Sequence, residues 1–399
     1  MSRRPISLSP DLQKLQNEGY DIDIIGGKLI VRNIPYVNEK RELSKGVLVS
    51  DLDLVGDATT RPKSHVAKWM GDYPCFKDGK RMESLVNAQD KTKVNEEIVT
   101  NYQFSQKPLN GYYENYYDKI STLVKILENE AISLDKNATS RTFPVIKNDD
   151  EHESVFYYID TSSSRSGTTY LSKKLESKKI AIVGLGGTGS YILDLVAKTP
   201  VSEIHLFDGD SFLQHNSFRC PGAPSFEDLE KKMTKVAWFN DIYSKLRRGI
   251  YPNEFSINAS NLDLLNKMDF VFLCIDSGLD RSLIIKHLLD NKIPFIDNGI
   301  GLHFENGETL SGQVRITTFV KTKDSHIEKR VPMGDNVDNE YSSNIQIAEL
   351  NSLNAALAVI KWKKFLGFYS DSSQELNANY MLSENLLLNE DNENETQKN

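Results

Sequence analysis

A short apolar strand that leads directly into a glycine-rich turn constrains the fold of this chain more than any other feature. Residues Ile180–Val183 form a β-branched-rich run, which is typical of a strand buried on both faces of a parallel sheet. The turn that follows carries Gly184, Gly186, Gly187 and Gly189. Three of these glycines satisfy the G-x-G-x-x-G spacing, in which missing side chains let the backbone approach a phosphate. A helix beginning near Thr188 would direct its free N–H groups at that anion, so the sequence predicts a nucleotide-binding α/β domain.

A second predicted strand, Glu203–Phe207, ends at an acidic residue, Asp208. The spacing from the glycines is about that at which dinucleotide-binding folds place the acid that binds a ribose hydroxyl. On this observation alone, an NAD-dependent oxidoreductase fits as well as any other nucleotide enzyme.

Four further polar residues favour a triphosphate over a dinucleotide. Asn216 and Arg219 lie three apart, so one helical turn would bring both to the same ligand. Arg219 and Lys235 would supply charge that backbone dipoles alone do not provide for a triphosphate. Asp276 closes the predicted strand Phe270–Ile275, and a carboxylate at the carboxyl end of a strand suits Mg²⁺. Together these residues predict a site that splits ATP.

The order and spacing of these residues resemble the ThiF-like adenylyltransferases, whose fold is shared by the adenylation domain of ubiquitin-activating enzymes. The resemblance covers roughly residues 165–370. Its motifs are Gly184 to Ser190 (G-x-G-G-x-G-S), Asp208 with Asp210, Asn216 with Arg219, Lys235, and Asp276 with Arg281 (D-x4-R). The resemblance implies a Rossmann-like, doubly wound and mostly parallel sheet with added antiparallel strands.

The resemblance also implies adenylation of a protein substrate. Such enzymes bind ATP and Mg²⁺ and activate the C-terminal carboxylate of a small ubiquitin-like or sulfur-carrier protein that ends in Gly-Gly, releasing pyrophosphate. Carried over to this chain, the nucleotide-binding residues are Gly184, Gly186, Gly187, Gly189, Asp208, Asp210, Asn216, Arg219 and Lys235. Asp208 would hold the ribose, Arg219 and Lys235 would neutralise phosphates, and Asp276 would hold Mg²⁺.

Family members are usually homodimers in which an arginine ahead of the glycine strand reaches into the partner's site. Arg165 is the nearest match in this sequence. The resemblance therefore names Arg219, Lys235, Asp276 and Arg165 as catalytic candidates.

Two features depart from the pattern of ubiquitin-activating enzymes. Those enzymes carry a thioester-forming cysteine beyond the adenylation motifs, whereas the last cysteine here, Cys274, lies in a predicted strand. Many family members also hold zinc through two C-x-x-C pairs, and this sequence contains no such pair. We therefore expect no structural zinc and transfer of the adenylate to another protein's thiol, such as that of a conjugating enzyme, or to a small nucleophile. Cys75 and Cys220 are the two candidate thiols within the chain.

Two other functional hypotheses stay open at this point. An NAD-dependent oxidoreductase shares the glycine turn and Asp208, but it gives no reason for Asn216, Arg219, Lys235 and Asp276 together. A catalytically silent scaffold that binds a ubiquitin-like partner would need no complete set of phosphate-binding residues.

Composition limits the setting in which the protein acts. A net charge of −8 gives no general reason to expect nucleic-acid binding. Three cysteines without framework spacing favour a reducing cytoplasm, and we expect neither a membrane span nor a signal peptide.

The sequence predicts three regions, with boundaries at about residues 150 and 370. Residues 1–150 form an expected α+β recognition domain, with a linker from about residue 134. This domain should contain a hairpin turning at Gly26-Gly27, a strand from Gly46, and a helix within 115–135. Residues 151–370 form the expected adenylation domain, and 371–399 a C-terminal segment with a disordered acidic tail from Glu390.

Elements after Asp276 are also predicted. They are a helix over Asp280–Asn291, a strand from Ile293, an antiparallel strand over Ser311–Phe319, a mobile crossover loop over 321–343, and a helix over Ile345–Phe365. The last helix is expected to place Ile345, Ala348, Leu353, Leu357 and Ile360 roughly on one apolar face.

Overall fold

The computed structural model describes residues 4–148, 154–276, 278–320, 323–334 and 345–392. Contacts between residues divide the chain into two compact units. The first is Met1–Ile146 with Ser164–Ser166, and the second is Lys147–Ser163 with Gly167–Asn399. No helix within the described ranges is both long and apolar enough to cross a membrane.

The first unit is built on a six-stranded antiparallel sheet in the order β1-β2-β3-β6-β8-β7. Its strands are β1 (Asp21–Ile25), β2 (Lys28–Val37), β3 (Leu43–Asp51), β4 (Leu54–Val55), β5 (Ala58–Thr59), β6 (Val66–Met70), β7 (Val86–Lys93) and β8 (Val99–Ser105). Strands β4 and β5 form a separate two-stranded ladder. The helices are α1 (Arg4–Leu8), α2 (Pro10–Asn17) and α3 (Tyr116–Leu134), and α3 packs on β2.

The elements of the first unit that local signals predict lie where they were predicted. Strands β1 and β2 form the predicted hairpin, and both turn residues, Gly26 and Gly27, have positive φ, as a type I′ turn requires. The strand predicted from Gly46 lies inside β3, and the predicted helix is α3. Part of the predicted linker is ordered, because Glu128 accepts hydrogen bonds from the backbone N–H and hydroxyl of Ser140. Residues 149–153 of that linker lie outside the described residues.

A buried lysine is the unusual feature of this unit's core. The Lys119 side chain lies on the inner face of α3, and the residue is 1% exposed. Its Nζ donates to Ser50 Oγ at 2.8 Å and to the Ser64 carbonyl at 2.9 Å, and both partners are neutral. Burial lowers the pKa of Lys119 to about 8, because the ammonium ion is poorly solvated there.

Replacing Lys119 with methionine is expected to change how stability depends on pH. The folded pKa of about 8 lies below the unfolded value, so the wild-type free energy of unfolding should rise between about pH 8 and pH 10. Below pH 8 both states are protonated, and the full cost of burying the ammonium ion is present. Lys119→Met should flatten the rise and add about 1–3 kcal/mol of stability at pH 7. Urea unfolding at pH 7 and pH 9.5 measures both effects.

Lys125→Met is the matched control for this change, because Lys125 is exposed on the same helix. If both variants show the wild-type pH slope, the ammonium of Lys119 carries no such penalty.

The second unit is built on an eight-stranded sheet in the order β11-β10-β9-β12-β13-β14-β15-β16. Its strands are β9 (Lys179–Val183), β10 (Glu203–Phe207), β11 (Ile250–Asn253), β12 (Phe270–Leu273), β13 (Phe295–Glu305), β14 (Thr309–Phe319), β15 (Glu375–Met381) and β16 (Leu386–Asn392). The first five strands of this order pair in parallel and the remaining pairs are antiparallel. This confirms the predicted Rossmann-like, mostly parallel sheet with added antiparallel strands.

Helices connect the parallel strands of this sheet. The helices from residue 161 onward are α4 (Thr161–Ser166), whose Ser164–Ser166 belong to the first unit, α5 (Thr169–Ser172), α6 (Gly187–Ala197), α7 (Phe226–Glu230), α8 (Lys235–Tyr243), α9 (Gly278–Asp290), α10 (Ile327–Arg330) and α11 (Ala348–Phe365). Short 3₁₀ helices span Lys173–Leu175, Gln214–Phe218 and Leu262–Lys267. The chain adds β10 and β11 on one side of β9 and then β12 on the other, so the strand order reverses between β9 and β12. In open α/β sheets this reversal creates the crevice that holds ligands.

The structure confirms part of the predicted face of α11, because Leu353 and Leu357 pack against a buried cluster with Leu350, and corrects it at Ile360. Ile360, predicted on its apolar stripe, is 44% exposed. The buried face instead carries Leu350, Asn351, Asn354, Ala355, Ala358, Val359, Lys361 and Trp362. Polar residues interrupt this buried face, so apolar periodicity alone does not identify it.

The C-terminal part also differs from the prediction. The sheet continues beyond residue 370, because β15 and β16 pair with β14 and with each other. Glu390 and Asp391, predicted in a disordered tail, lie in β16 and pair with Arg330. Residues 393–399 lie outside the described residues, as do 321–322 and 335–344 of the predicted crossover loop. The described part of that loop contains α10, whose Ile327 is buried.

Candidate functional site

The glycine turn after β9 is shaped by backbone contacts that exclude larger residues. Gly184 has a φ of +91°, and a Cβ at this position would lie 2.4 Å from the Cys274 carbonyl oxygen. A Cβ on Gly189 would lie 1.9 Å from the Gly184 carbonyl oxygen. These two glycines hold the turn against β9 and β12. Helix α6 then begins at Gly187, with Gly186 as its N-cap, so its first N–H groups face the crevice.

Asp208, at the end of β10, binds the glycine turn with one carboxylate oxygen and the loop after β10 with the other. One oxygen accepts from the Leu185 N–H at 2.7 Å, and the other accepts from the Asp210 N–H at 2.9 Å. The side chain lines the crevice although the residue is only 8% exposed. The residue predicted to hold a ribose therefore also fixes the glycine turn.

Lys235 is held by two aspartates, Asp208 and Asp210, that were predicted as nucleotide-binding residues. Its Nζ lies 2.6 Å from Asp210 Oδ2 and 3.3 Å from Asp208 Oδ2. Thr234 caps helix α8 by accepting from the Ala237 N–H, which places Lys235 on the first turn of that helix. The ammonium is buried, while the side chain of Asp210 is 75% exposed. Asp210 can therefore leave the pair for solvent more easily than Asp208 can.

Arg219 is a cation that the described residues leave without a hydrogen-bond partner. Its Nε is buried and makes no hydrogen bond within those ranges, and the side chain lines the crevice. Asn216, predicted to face the same ligand, instead accepts from the Leu213 N–H at 2.8 Å. Asn216 is buried and is not part of the crevice wall. It shapes the 3₁₀ turn from which Arg219 extends.

Asp276 follows the end of β12 and is exposed at the crevice. Gln346 Nε2 donates to its Oδ2 at 3.3 Å. Arg281 supports this turn, since its Nη2 donates to the Ile275 carbonyl and its Nε lies 3.4 Å from Asp297 Oδ1. Asp297 is fully buried and also pairs with Arg315 at 2.6 Å. The D-x4-R motif thus anchors the turn that presents Asp276.

The crevice is one cavity of about 390 Å³ at the carboxyl ends of β9, β10 and β12, and Asn298 and Ile300 of β13 also line it. The predicted residues that line it are Gly184, Gly186, Gly187, Asp208, Asp210, Arg219, Lys235 and Asp276. Gly189 supports the turn from behind, and Asn216 supports Arg219. The structure therefore brings most of the predicted site together around a single cavity.

Arg165 does not line this cavity. Its Nη2 donates to the Asn17 carbonyl at 2.8 Å, and its guanidinium lies 5.7 Å from the centre of the Phe143 ring. These contacts place Arg165 with the first unit. Its predicted role in the site of a dimer partner stays a prediction.

Three buried asparagines on the cavity wall are absent from the predicted site. Asn351 and Asn354 lie one helical turn apart on α11, and Asn298 lies on β13. Asn351 accepts from the Thr188 hydroxyl at 3.1 Å, and its Nδ2 approaches the Arg219 carbonyl at 3.4 Å. The available signal was two asparagines spaced three apart in the predicted helix, which places them on one face.

The cysteine thiols are poorly suited to nucleophilic transfer. Burial raises the pKa of Cys220 to about 11 and raises the pKa of Cys75. Both residues are buried, with exposures of 6% and 1%. Cys274, which follows β12 rather than lying inside it, lines the cavity, and burial raises its pKa as well. A reactive thiol needs a lowered pKa, so these surroundings disfavour all three.

Solved structures to which this chain is similar include Escherichia coli MccB with MccA-N7isoASN. Its TM-score is 0.46 at 19% identity, and the match covers 58% of this chain and 69% of that one. A structure of E. coli MccB with ATP has a TM-score of 0.44 at 18% identity and covers 57% of this chain and 71% of that one. A selenomethionine structure of PaaA has a TM-score of 0.42 at 18% identity, with 56% and 76% covered.

Sequence comparisons separate the two parts of the chain. Residues 10–161 match a domain of unknown function, DUF6791, and residues 164–392 match the ThiF family. A tRNA threonylcarbamoyladenosine dehydratase of Haemophilus influenzae is 24% identical over 179 residues, which are 43% of this chain and 64% of that protein. The chain thus spans less than two thirds of that curated relative. Because the ThiF match covers more than half of the sequence and contains the whole cavity wall, the chain belongs to the ThiF family.

Proposed function

We propose that this protein activates a carboxylate with ATP, forming an acyl-adenylate and releasing pyrophosphate. The observation that carries the proposal is Arg219, whose Nε is buried at the cavity without a hydrogen-bond partner in the described residues. A buried N–H donor without a partner is costly, and an anion in the cavity could accept a hydrogen bond from it. A polyphosphate in the cavity would supply that anion in a geometry that suits the guanidinium fork.

The residues around Arg219 fit a triphosphate. The N-terminus of α6 and the glycine turn direct N–H groups at the cavity, and Lys235 lies beside them. Lys235 is paired with Asp210 at 2.6 Å, so we propose that it turns from this exposed carboxylate toward the bound phosphates. Asp208, already fixed by two backbone bonds, keeps lone pairs that a ribose hydroxyl can use.

Asp276 is the residue that would hold Mg²⁺. Within the described ranges, no three His, Cys, Asp or Glu side chains are grouped as a metal site. Mg²⁺ bound with a nucleotide needs only one or two carboxylates besides phosphate oxygens and water, so a single Asp276 fits this requirement. When bound, the ion would neutralise charge that develops on the phosphates.

The chemical step requires little of the protein beyond positioning. A carboxylate oxygen of the substrate attacks the α-phosphorus of ATP, a new O–P bond forms, and the bond to the pyrophosphate leaving group breaks. The carboxylate is ionised at neutral pH, so no general base is needed. Arg219, Lys235 and the α6 N-terminus stabilise the negative charge on the phosphates.

We infer that the substrate is the C-terminal glycine carboxylate of a small ubiquitin-like or sulfur-carrier protein. The curated relative is named for a tRNA substrate, but a net charge of −8 gives this chain no general attraction for nucleic acid. We further propose a homodimer in which Arg165 serves the partner's site, transfer to a thiol outside this chain, and a cytoplasmic location.

Calorimetry on the full chain tests the nucleotide assignment. We expect micromolar binding of Mg-ATP and no comparable binding of NAD or NADP. Tight NAD binding without ATP binding would instead support an oxidoreductase. If none of the three nucleotides binds, the result would support a scaffold that has lost catalysis.

Asp276→Asn is expected to lower the rate of the Mg²⁺-dependent step at least about 100-fold, because metal charge stabilisation is worth several kcal/mol. The measurement is ATP–pyrophosphate exchange with a candidate carrier protein that ends in Gly-Gly. Asp290→Asn, at the exposed end of α9, is the control and should keep wild-type exchange. Unchanged exchange in Asp276→Asn would remove Asp276 from the proposed metal site.

A further inference from the structure

Two buried oxygens at one end of the cavity have no hydrogen-bond partner among the residues that the structure describes. They are Asn298 Oδ1, on β13, and Asn354 Oδ1, on α11. The two residues are 5% and 0% exposed, and both line the cavity. Buried acceptors are nearly always satisfied, so two of them on one cavity wall require an explanation.

Both amide groups are oriented by their nitrogen atoms. Asn298 Nδ2 donates to the Leu273 carbonyl at 3.2 Å, and Asn354 Nδ2 donates to the Gly299 carbonyl at 3.3 Å. These bonds leave the oxygens as the free ends of the two amides. An amide oxygen accepts and does not donate, so the missing partner is an N–H or O–H donor.

The position of the pair separates it from the proposed nucleotide site. The β10 side of the cavity is lined by Asp208, Ser256 and Ile257. The glycine turn and Arg219 line the adjoining part of the wall. A nucleotide with its ribose at Asp208 and its phosphates at the glycine turn occupies that side. The wall formed by Asn298 and Asn354 lies toward β13, on the other side of β12.

We propose that this asparagine pair binds the last amide groups of the acid that is activated, by accepting hydrogen bonds from backbone N–H groups. The inference rests on the proposed adenylation and names the residues that would hold the peptide end of its substrate. The acid is the C-terminus of a peptide or protein, because a fatty acid or another simple acid has no N–H near its carboxylate. Two acceptors correspond to the N–H groups of the last two residues.

The test compares two analogues of the adenylate product, binding to the full chain by calorimetry. One is 5′-O-sulfamoyladenosine acylated with N-acetyl-glycylglycine, which carries both N–H groups. The other replaces the N–H of its last glycine with an ester oxygen. We expect the amide to bind the wild-type protein about tenfold more tightly, as for the loss of one hydrogen bond to a buried group.

Substitutions on the protein assign the effect to these residues. In Asn298→Ala and Asn354→Ala, the amide should lose much of its advantage over the ester, while the affinity for ATP stays within about twofold of wild type. Asn129→Ala, at an exposed position of α3, should behave as wild type. If either variant fails to fold, the inference is tested by the wild-type protein alone, through the ratio of its affinities for the amide and the ester.

Equal binding of amide and ester by the wild-type protein would overturn the inference while leaving adenylation intact. A loss of ATP affinity in the asparagine variants as large as the loss for the conjugate would also overturn it, since the oxygens would then serve the nucleotide. If neither ATP nor the conjugate binds, the proposed adenylation fails, and the inference fails with it.

Discussion

Arg219→Ala is expected to weaken ATP binding about 10- to 100-fold, which is the range for loss of a charge-assisted hydrogen bond to phosphate. The physical reason is the guanidinium at the cavity wall, whose Nε lacks a partner in the described ranges. Calorimetry with Mg-ATP on both proteins provides the measurement.

Thermal unfolding separates this role from a structural one. A structural arginine would lower the unfolding temperature when it is removed, because its partners would lose hydrogen bonds. The Arg219 side chain makes no hydrogen bond in the part of the chain that the structure describes, so its removal should leave the unfolding temperature within about 2 °C of wild type. Reduced ATP affinity with unchanged stability is therefore the expected combination.

Two further variants sharpen the assignment. Arg219→Lys keeps the charge but loses the planar fork, so its ATP affinity should fall between those of wild type and alanine. Arg61→Ala, which removes an exposed arginine of the first unit, should bind ATP as wild type does. If Arg219→Ala binds ATP normally, the polyphosphate is not at Arg219, and the observation that carries the proposed function is lost.

Local sequence signals predict the central part of the fold well. The run Ile180–Val183, the turn after it and the strand Glu203–Phe207 are each specified by neighbouring residues, and all appear where predicted. The hairpin at Gly26-Gly27 follows the same rule, because a two-residue turn with positive φ requires glycine or a similarly permissive residue. Where structure depends on residues close in sequence, the sequence alone is sufficient.

Properties that depend on tertiary contacts are harder to predict from the sequence. Asn298 and Asn354 are 56 positions apart and line the same cavity only because α11 packs against β13. The buried face of α11 also could not be read from apolar periodicity, because Asn351, Asn354 and Lys361 interrupt it. Asp208 was predicted as a ligand-binding acid, and the structure adds that it binds two backbone N–H groups of the site itself. No sequence pattern distinguishes an aspartate that binds only a ligand from one that also binds the backbone of its own site.

The first unit also contains an element that the local sequence pattern does not predict. Strand β7 carries polar residues such as Asn87, Asp90 and Lys91, so it does not have the apolar alternation by which a half-buried strand is recognised. It pairs with β8, which in turn pairs with β6, and Trp69 of β6 stacks on Phe104 of β8. The pairing partner, rather than the local pattern, specifies β7.

The glycines of the turn differ in what they do, and two substitutions should reveal this. Gly189→Ala is expected to destabilise the protein by about 3 kcal/mol or more, because its Cβ would lie 1.9 Å from the Gly184 carbonyl oxygen. The oxygen belongs to the backbone of the turn and cannot rotate away. The unfolding temperature should therefore fall by about 6 °C or more.

Gly186→Ala should have the opposite profile. Gly186 has a φ of −71°, and the nearest atom to an added Cβ is Gln346 Oε1 at 4.0 Å. The variant should fold and unfold like the wild type. Its methyl group would occupy the space beside the α6 N-terminus that the phosphates need, so ATP affinity should fall at least about tenfold.

Gly301→Ala is the matched control, because a Cβ at Gly301 has no neighbour within 4 Å and the residue is not part of the cavity wall. It should preserve both stability and ATP binding. Thermal unfolding and calorimetry on the three variants then distinguish a glycine required for folding from one required for the ligand. If Gly186→Ala binds ATP as tightly as the wild type, the phosphates do not lie at the α6 N-terminus, and the nucleotide must bind elsewhere in the cavity.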